Sequence, residues 1–210
     1  MTMLRQLAIT TALLFWLGFS PAHAQSSDAE ANQAIVVANI TTLTDTLREN
    51  IADLDNSLVS ADETLNNASA ILDGLLDSVA SMTDLIAEDG ETWTRLTALL
   101  VEFEDERTRV SQRAQATGNP ALQQIAGMWG ERIDTLSSLR SDISRERART
   151  RALLADLENE REVVVELIKV GAADMVIDNM RAIRDNLVTV NDDMQVMLDK
   201  ARQIDGGVQN

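Results

Sequence analysis

The carboxylate pairs Asp53/Asp55 and Asp192/Asp193 have the most direct chemical use open to them in this sequence, as cation ligands or as an acid and base pair. A calcium loop of the D-x-[DN]-x-[DN]-G type, whose glycine lets the chain turn around the ion, surrounds neither pair. Both fall within helical periodicity, so they read as solvated helix faces and no metal site is expected. Met175, Met180, Met194 and Met197 offer soft sulfur, but the last three recur at core spacing, where methionine fills gaps. His23 is the single histidine, and the chain has neither cysteine nor tyrosine.

His23 itself lies in a segment expected to be removed. Arg5 precedes an apolar run from Leu7 to Phe19, followed by Pro21-Ala22-His23-Ala24. That is the order of a secretory signal peptide over residues 1–24 with small residues at the cleavage site, which predicts processing after Ala24. The apolar run is too short to span a bilayer. Without Arg5 the chain keeps 17 basic residues against 34 acidic ones, a formal charge of −17. A mature chain from Gln25 has no His, Cys or Tyr. Ser-His-Asp triads, Cys nucleophiles, Cys/His zinc sites, haem ligation by histidine and thiol redox chemistry all lack their residues. No catalytic, cofactor-binding or metal residue is assigned, and the expectation is a protein that is not an enzyme. Strong acidity argues against nucleic acid, whose phosphates require a basic footprint. No later stretch reaches about 18 consecutive apolar residues, so no integral membrane segment is expected in the mature chain. The predicted location is the periplasm or the exterior.

The elements that carry these residues follow from one pattern. Apolar or small residues recur at alternating steps of three and four: Ile51, Leu54, Leu58, Ala61, Leu65, Ala68, Leu72, Leu75, Val79, Met82, Ile86. This heptad keeps one helical seam against a partner. The phase continues through Asp89 to Trp93, Leu96, Leu100, Phe103, Arg107, Val110 and Ala114. It predicts one helix from about Asp28 to Ala116 within a first arm 25–117, with a break near Gly90 as the alternative. Ser27 and Glu30 fit a capping box at its start. Gly118-Asn119-Pro120 is a turn: a left-handed helix end, an N-cap, and proline at the first position of the next helix. A second arm over 121–205 continues from Leu122, Ile125 and Trp129 to Ile204, with a phase slip that predicts a kink or break near Gly171. Lys200, Arg202, Gly206 and Gly207 suit its end, and 206–210 reads as a flexible tail.

Two arms of similar length around one turn predict an all-α fold, a long antiparallel helical hairpin or coiled coil, folded into or associating as a helical bundle. Facing residue numbers should then sum to about 236, bringing the cluster Arg140, Arg145, Arg147, Arg149 and Arg151 opposite Asp84, Glu88, Asp89 and Glu91; an equally weighted reading makes that cluster a solvated face balanced by its own helix. Apolar neighbours beside the seam, Leu75/Leu76, Leu99/Leu100, Leu153/Leu154 and Leu167/Ile168, demand more cover than one partner helix gives. That predicts self-association or a protein partner. Polar seam positions set register and partner in such structures; the candidates are Asp89, Arg107, Arg132, Glu146 and Glu160, with Glu104 as the salt-bridge partner of Arg132 and Trp129 as the cation-π partner of Arg107. Trp93, Asn119 and Trp129 are candidates for a recognition tip near the turn, although burial is the default for tryptophan on a seam.

The functional expectation is an exported, non-enzymatic coiled-coil protein acting as a spacer, adaptor or scaffold in the bacterial cell envelope. The shape is similar to helical hairpins of bacterial envelope assemblies, a likeness that carries no functional residues across. The alternatives are a secreted helical bundle that associates with membranes and a periplasmic bundle that senses a small ligand.

Overall fold

The heptad seam is built into helices along the whole described chain. The computed structural model describes residues 22–58 and 61–204, with side chains for 28–58 and 64–204. Among the described residues there are five helices: α1 (Ala22–Ser57), α2 (Ala61–Leu85), α3 (Glu91–Thr117), α4 (Pro120–Lys169) and α5 (Ala173–Gln203). The described residues contain no strand. Most of the predicted signal peptide and the Gly206/Gly207 helix end lie outside the described residues. α1 already runs through Ser27 in helical geometry. A capping residue must leave that geometry, so Ser27 does not cap this helix in the full chain.

The continuous helix expected from Asp28 to Ala116 is three helices. The first interruption begins at Leu58, and the Thr64 hydroxyl donates to the Ser57 carbonyl at 2.6 Å across it. The chain reverses there. Asn32 and Asn39 of α1 meet Arg95 and Thr92 of α3, each at 3.2 Å, which makes these helices antiparallel. α2 and α3 both run antiparallel to α4, through Asp73 with Arg161 and Phe103 with Trp129. α2 therefore opposes α1. Heptad phase could not reveal this reversal, because Leu54, Leu58, Ala61 and Leu65 keep their spacing through it. The sequence signal was local: Ser60-Ala61-Asp62-Glu63 has the S-x-x-E form of a helix start.

The second interruption, over 86–90, does not reverse the chain. Gly90 is extended, at φ −69° and ψ 158°, and its carbonyl accepts from Thr94 at 3.1 Å to begin α3. A Cβ there would lie 2.8 Å from the Asp84 carbonyl and 2.9 Å from that of Leu85. The glycine is thus required by close approach to the end of α2. α2 and α3 form one bent strut along α4. At the hairpin turn Gly118 is left-handed (φ 64°), the Asn119 side chain accepts from the Ala121 amide at 2.9 Å, and Pro120 opens α4. Gly171 is also left-handed (φ 72°), and the Ala172 amide reaches back to the Leu167 carbonyl at 2.9 Å. There α4 reverses into α5, which returns antiparallel to both α4 (Glu160 with Asn179) and α1 (Asp55 with Arg184).

The result is an up-down-up-down bundle of four struts, α1, α2 with α3, α4, and α5. Its core holds the expected seam, including Leu54, Leu72, Met82, Leu96, Leu136, Ile143, Leu157, Met180 and Met194. The broad stripe is covered within the chain. Leu75, Leu99 and Leu100 are buried, and Leu76, Leu154, Leu167 and Ile168 pack against the core. Their cover therefore comes from folding back at residue 58 and at Gly171, and the need for self-association argued from them is removed.

Candidate functional site

The struts have unequal reach. Near the start of α1, Asp28 lies beside Glu102 and Arg109 of α3, and near the end of α5, Lys200 meets Ser138 of α4 at 3.2 Å. Beyond the start of α1 at Ala22 and the end of α5, α3 and α4 continue, among the described residues, as a two-helix tip closed by Gly118. Between Glu104 and Arg132 the one buried residue is Ala114, whereas the rest of both helices is regularly buried. Ile125 and Met128, one turn apart on α4, are 40% and 42% exposed. Large apolar side chains left open side by side mark a contact surface better than scattered ones do.

Charge divides along the same line. From Arg107 to Gly130 the chain has three arginines, Arg107, Arg109 and Arg113, and no acid. Every other residue after Ala24 belongs to a portion with 34 acids and 14 bases. Arg109 pairs with Glu106 at 2.9 Å, while Arg107 and Arg113 form no ion pair among the described residues. The tip is basic on an acidic body.

The candidate residues distribute over tip, body and turn. Asn119 serves as the cap of α4, a structural task. Trp129 stands at the base of the tip, edge-on to Phe103 with ring centroids 5.0 Å apart. Its cationic partner is Arg132, 4.7 Å from the ring centroid, rather than Arg107. Arg132 reaches it from one turn along the same helix, whereas the Arg107 guanidinium lies against Gly130, where the missing side chain leaves room. Trp93 does not belong to the tip. It is half-buried in the body at the start of α3, with Arg140 and Arg147 at 4.6 Å and 5.2 Å from its ring centroid. Glu104 is exposed on α3.

Asp89 leaves the seam altogether, exposed in the turn before Gly90. The helix break there carries it outward. Of the proposed Arg cluster, Arg147 meets its cross-strut acid, Glu88, at 2.7 Å. Arg161 with Asp73 repeats this, and both pairs fall within two of the expected residue-number sum. Arg145 turns to Asp142 of its own helix, and Arg149 to Asp193 of α5. Glu160 accepts from Asn179 at 2.9 Å and joins α4 to α5.

Glu146 is a charged seam residue that is fully enclosed, at 3% exposure. Its Oε1 has no hydrogen-bond partner, and Arg149 stays 4.0 Å away. Burial, reinforced by Asp193 and opposed by Arg149 and Arg145, raises its pKa to about 7. A cavity of about 130 Å³ adjoins it, lined also by Asp142, Asp193, Met197 and Lys200. Asp142 and Asp193 are engaged by Lys200 and Arg149. Among the described residues no three carboxylates converge as metal ligands would.

Sequence reasoning did not single out a groove at the other end of the bundle. α1 and α2 part beside their turn to leave about 530 Å³ lined by Asn50, Asp53, Asn56, Asn67, Gly74 and Ser78, over Ile71 and Leu75. The Asn50 Nδ2 is shut off from solvent without an acceptor. Ala70-x-x-x-Gly74-x-x-x-Ser78, small residues one turn apart, was its signal. No described helix is long and apolar enough to cross a membrane. Comparison with protein-family models, curated proteins and solved structures gives no match.

Proposed function

We propose that this chain is an exported, non-enzymatic spacer or adaptor of the bacterial cell envelope, a four-strut helical body that holds out a two-helix tip for contact with another protein. The observation that carries the reading is the tip, residues 107–130, which extends past the bundle with Ile125 and Met128 exposed and with Arg107 and Arg113 in no ion pair among the described residues. The residue types after Ala24 favour contact over catalysis, since histidine, cysteine and tyrosine are missing and with them the triad, thiol and imidazole chemistries. The export half of the reading comes from Arg5, the Leu7–Phe19 run and the Ala22/Ala24 site.

The test compares the intact chain with one in which residues 107–130 are replaced by a short glycine-rich turn. Both are isolated from the envelope fraction after mild crosslinking. A body that still melts cooperatively, lowered by the loss of the Trp129 contact with Phe103, together with loss of the crosslinked protein supports the reading. Retention of every crosslinked protein by the shortened form contradicts it. A second reading, a bundle that senses a small solute, has the Glu146 cavity in its favour. A thermal-shift screen of small cationic solutes tests it, and a screen without any stabilised hit removes it.

A further inference from the structure

Between Arg48 and Arg95 the sequence contains eleven acids and no base. Its part nearest the α1–α2 turn, the end of α1 and the first half of α2, flanks the α1–α2 groove at the end of the bundle opposite the tip. Some of its acids are neutralised from α4 and α5, as Asp55 is by Arg184 and Asp73 by Arg161. Asp53, which lines the groove, and Glu49 and Asp77, each adjacent in sequence to a lining residue, have no ion-pair partner among the described residues. All three are exposed. At the other end Arg107 and Arg113 are likewise in no ion pair among the described residues.

We infer that the α1–α2 groove of one molecule receives the basic α3–α4 tip of a second copy, so that the protein assembles head to tail. The inference rests on the tip being a contact surface and names its partner. Shape supports it: the small residues Ala70, Gly74 and Ser78 let another helix approach closely, and Ile71 and Leu75 supply an apolar floor for Ile125 and Met128. The polar wall of the groove supports it as well, because Asn56 and Asn67 can exchange hydrogen bonds with Gln123 and Gln124 of the tip. Charge selects the partner. Arg107 and Arg113 meet Asp53, Asp77 and Glu49, a match that tip against tip or groove against groove cannot make. The overall negative charge does not forbid the contact. Screening acts over about 8 Å at physiological salt, whereas the 50 residues of α4 alone span about 75 Å. Each end therefore responds to its local field. An interface between two different surfaces of one chain does not close on itself unless the rotation happens to form a ring. The expected product is an open series of molecules.

The experiment is sedimentation velocity on the protein recovered after expression of the full chain, over a concentration series at low and high salt. Wild type should grow past dimer mass, with association about tenfold weaker in 0.5 M than in 0.05 M salt. The tip variant Arg107→Glu/Arg113→Glu and the groove variant Asp53→Lys/Asp77→Lys should each stay monomeric with unchanged circular dichroism. Mixing them should restore growth, because each reversed surface then meets its complement. Growth of wild type that these reversals leave intact, a dimer that stops at two, or a monomer at all concentrations overturns the inference. So does a wild-type tip that floats with phosphatidylglycerol vesicles while the protein remains monomeric. Should a variant fail to fold, the salt series on wild type still decides. A monomer that loses an envelope partner on tip removal would refute head-to-tail assembly and leave the adaptor reading standing. A polymer whose tip-deleted form keeps all envelope partners would do the reverse.

Discussion

Arg147 of α4 donates to Glu88 at 2.7 Å while its guanidinium carbon sits 5.2 Å from the ring centroid of Trp93. One side chain thus ties α4 both to the turn after α2 and to the start of α3. The two contacts differ in worth. Glu88 is 72% exposed on its side chain, so its carboxylate keeps most of its water, whereas the Arg147 side chain is 10% exposed and packs on the Trp93 face. Glu88→Gln should cost less than about 1 kcal/mol. Arg147→Ala should cost about 1–3 kcal/mol by uncovering the indole. Urea unfolding measures both, and equal losses would assign the effect to the ion pair.

Three glycines separate two reasons for having no side chain. Gly90→Ala should destabilise by about 1–3 kcal/mol, because its Cβ meets carbonyl oxygens within 3 Å. Gly118→Ala should cost about 1 kcal/mol through its left-handed φ of 64°, although space is free. Gly127 lies inside α4 with nothing near a Cβ, so Gly127→Ala should stabilise by about 0.5–1 kcal/mol. A thermal-melt series with this order supports the bend at Gly90. A neutral Gly90→Ala contradicts it.

Glu146 should make stability fall with rising pH. Its folded carboxyl holds a proton up to about pH 7, while the ordinary value is 4.5. Between these values the folded state binds more protons than the unfolded one, so its advantage is complete below about pH 4.5 and lost as pH rises through about 7. Glu146→Gln removes this dependence. The variant should gain about 2–3 kcal/mol over wild type at pH 8 and little at pH 4.5, in paired denaturation curves. A difference that does not change with pH would place the Glu146 titration elsewhere.

How far the sequence was readable depends on which physical signal carried each feature. Helical class, the Gly118-Asn119-Pro120 turn and the register that pairs Arg147 with Glu88 were legible, because core spacing and cap chemistry are local or additive along the chain. The reversal after Leu58 was not, because a turn that preserves heptad phase is invisible to periodicity. The partner of Trp129 was misassigned to Arg107 through a cross-helix register argument, when Arg132 one turn away on the same helix had the shorter reach. Glu146 stood out as a polar seam residue, but its enclosure without a donor depends on how α4 and α5 meet. The groove at Asn50 arises from the divergence of α1 and α2, which no single helix encodes.

The central claim, that the α3–α4 tip is the working contact surface, is most directly tested by a photo-crosslinking residue placed in turn at Met128 on the tip and at Val163 on the body. Both are exposed apolar positions of α4, at 42% and 46%. Irradiation of intact cells should give a defined higher-mass adduct from position 128 and little from position 163. Equal yields at both, or an adduct from position 163 alone, would contradict the account.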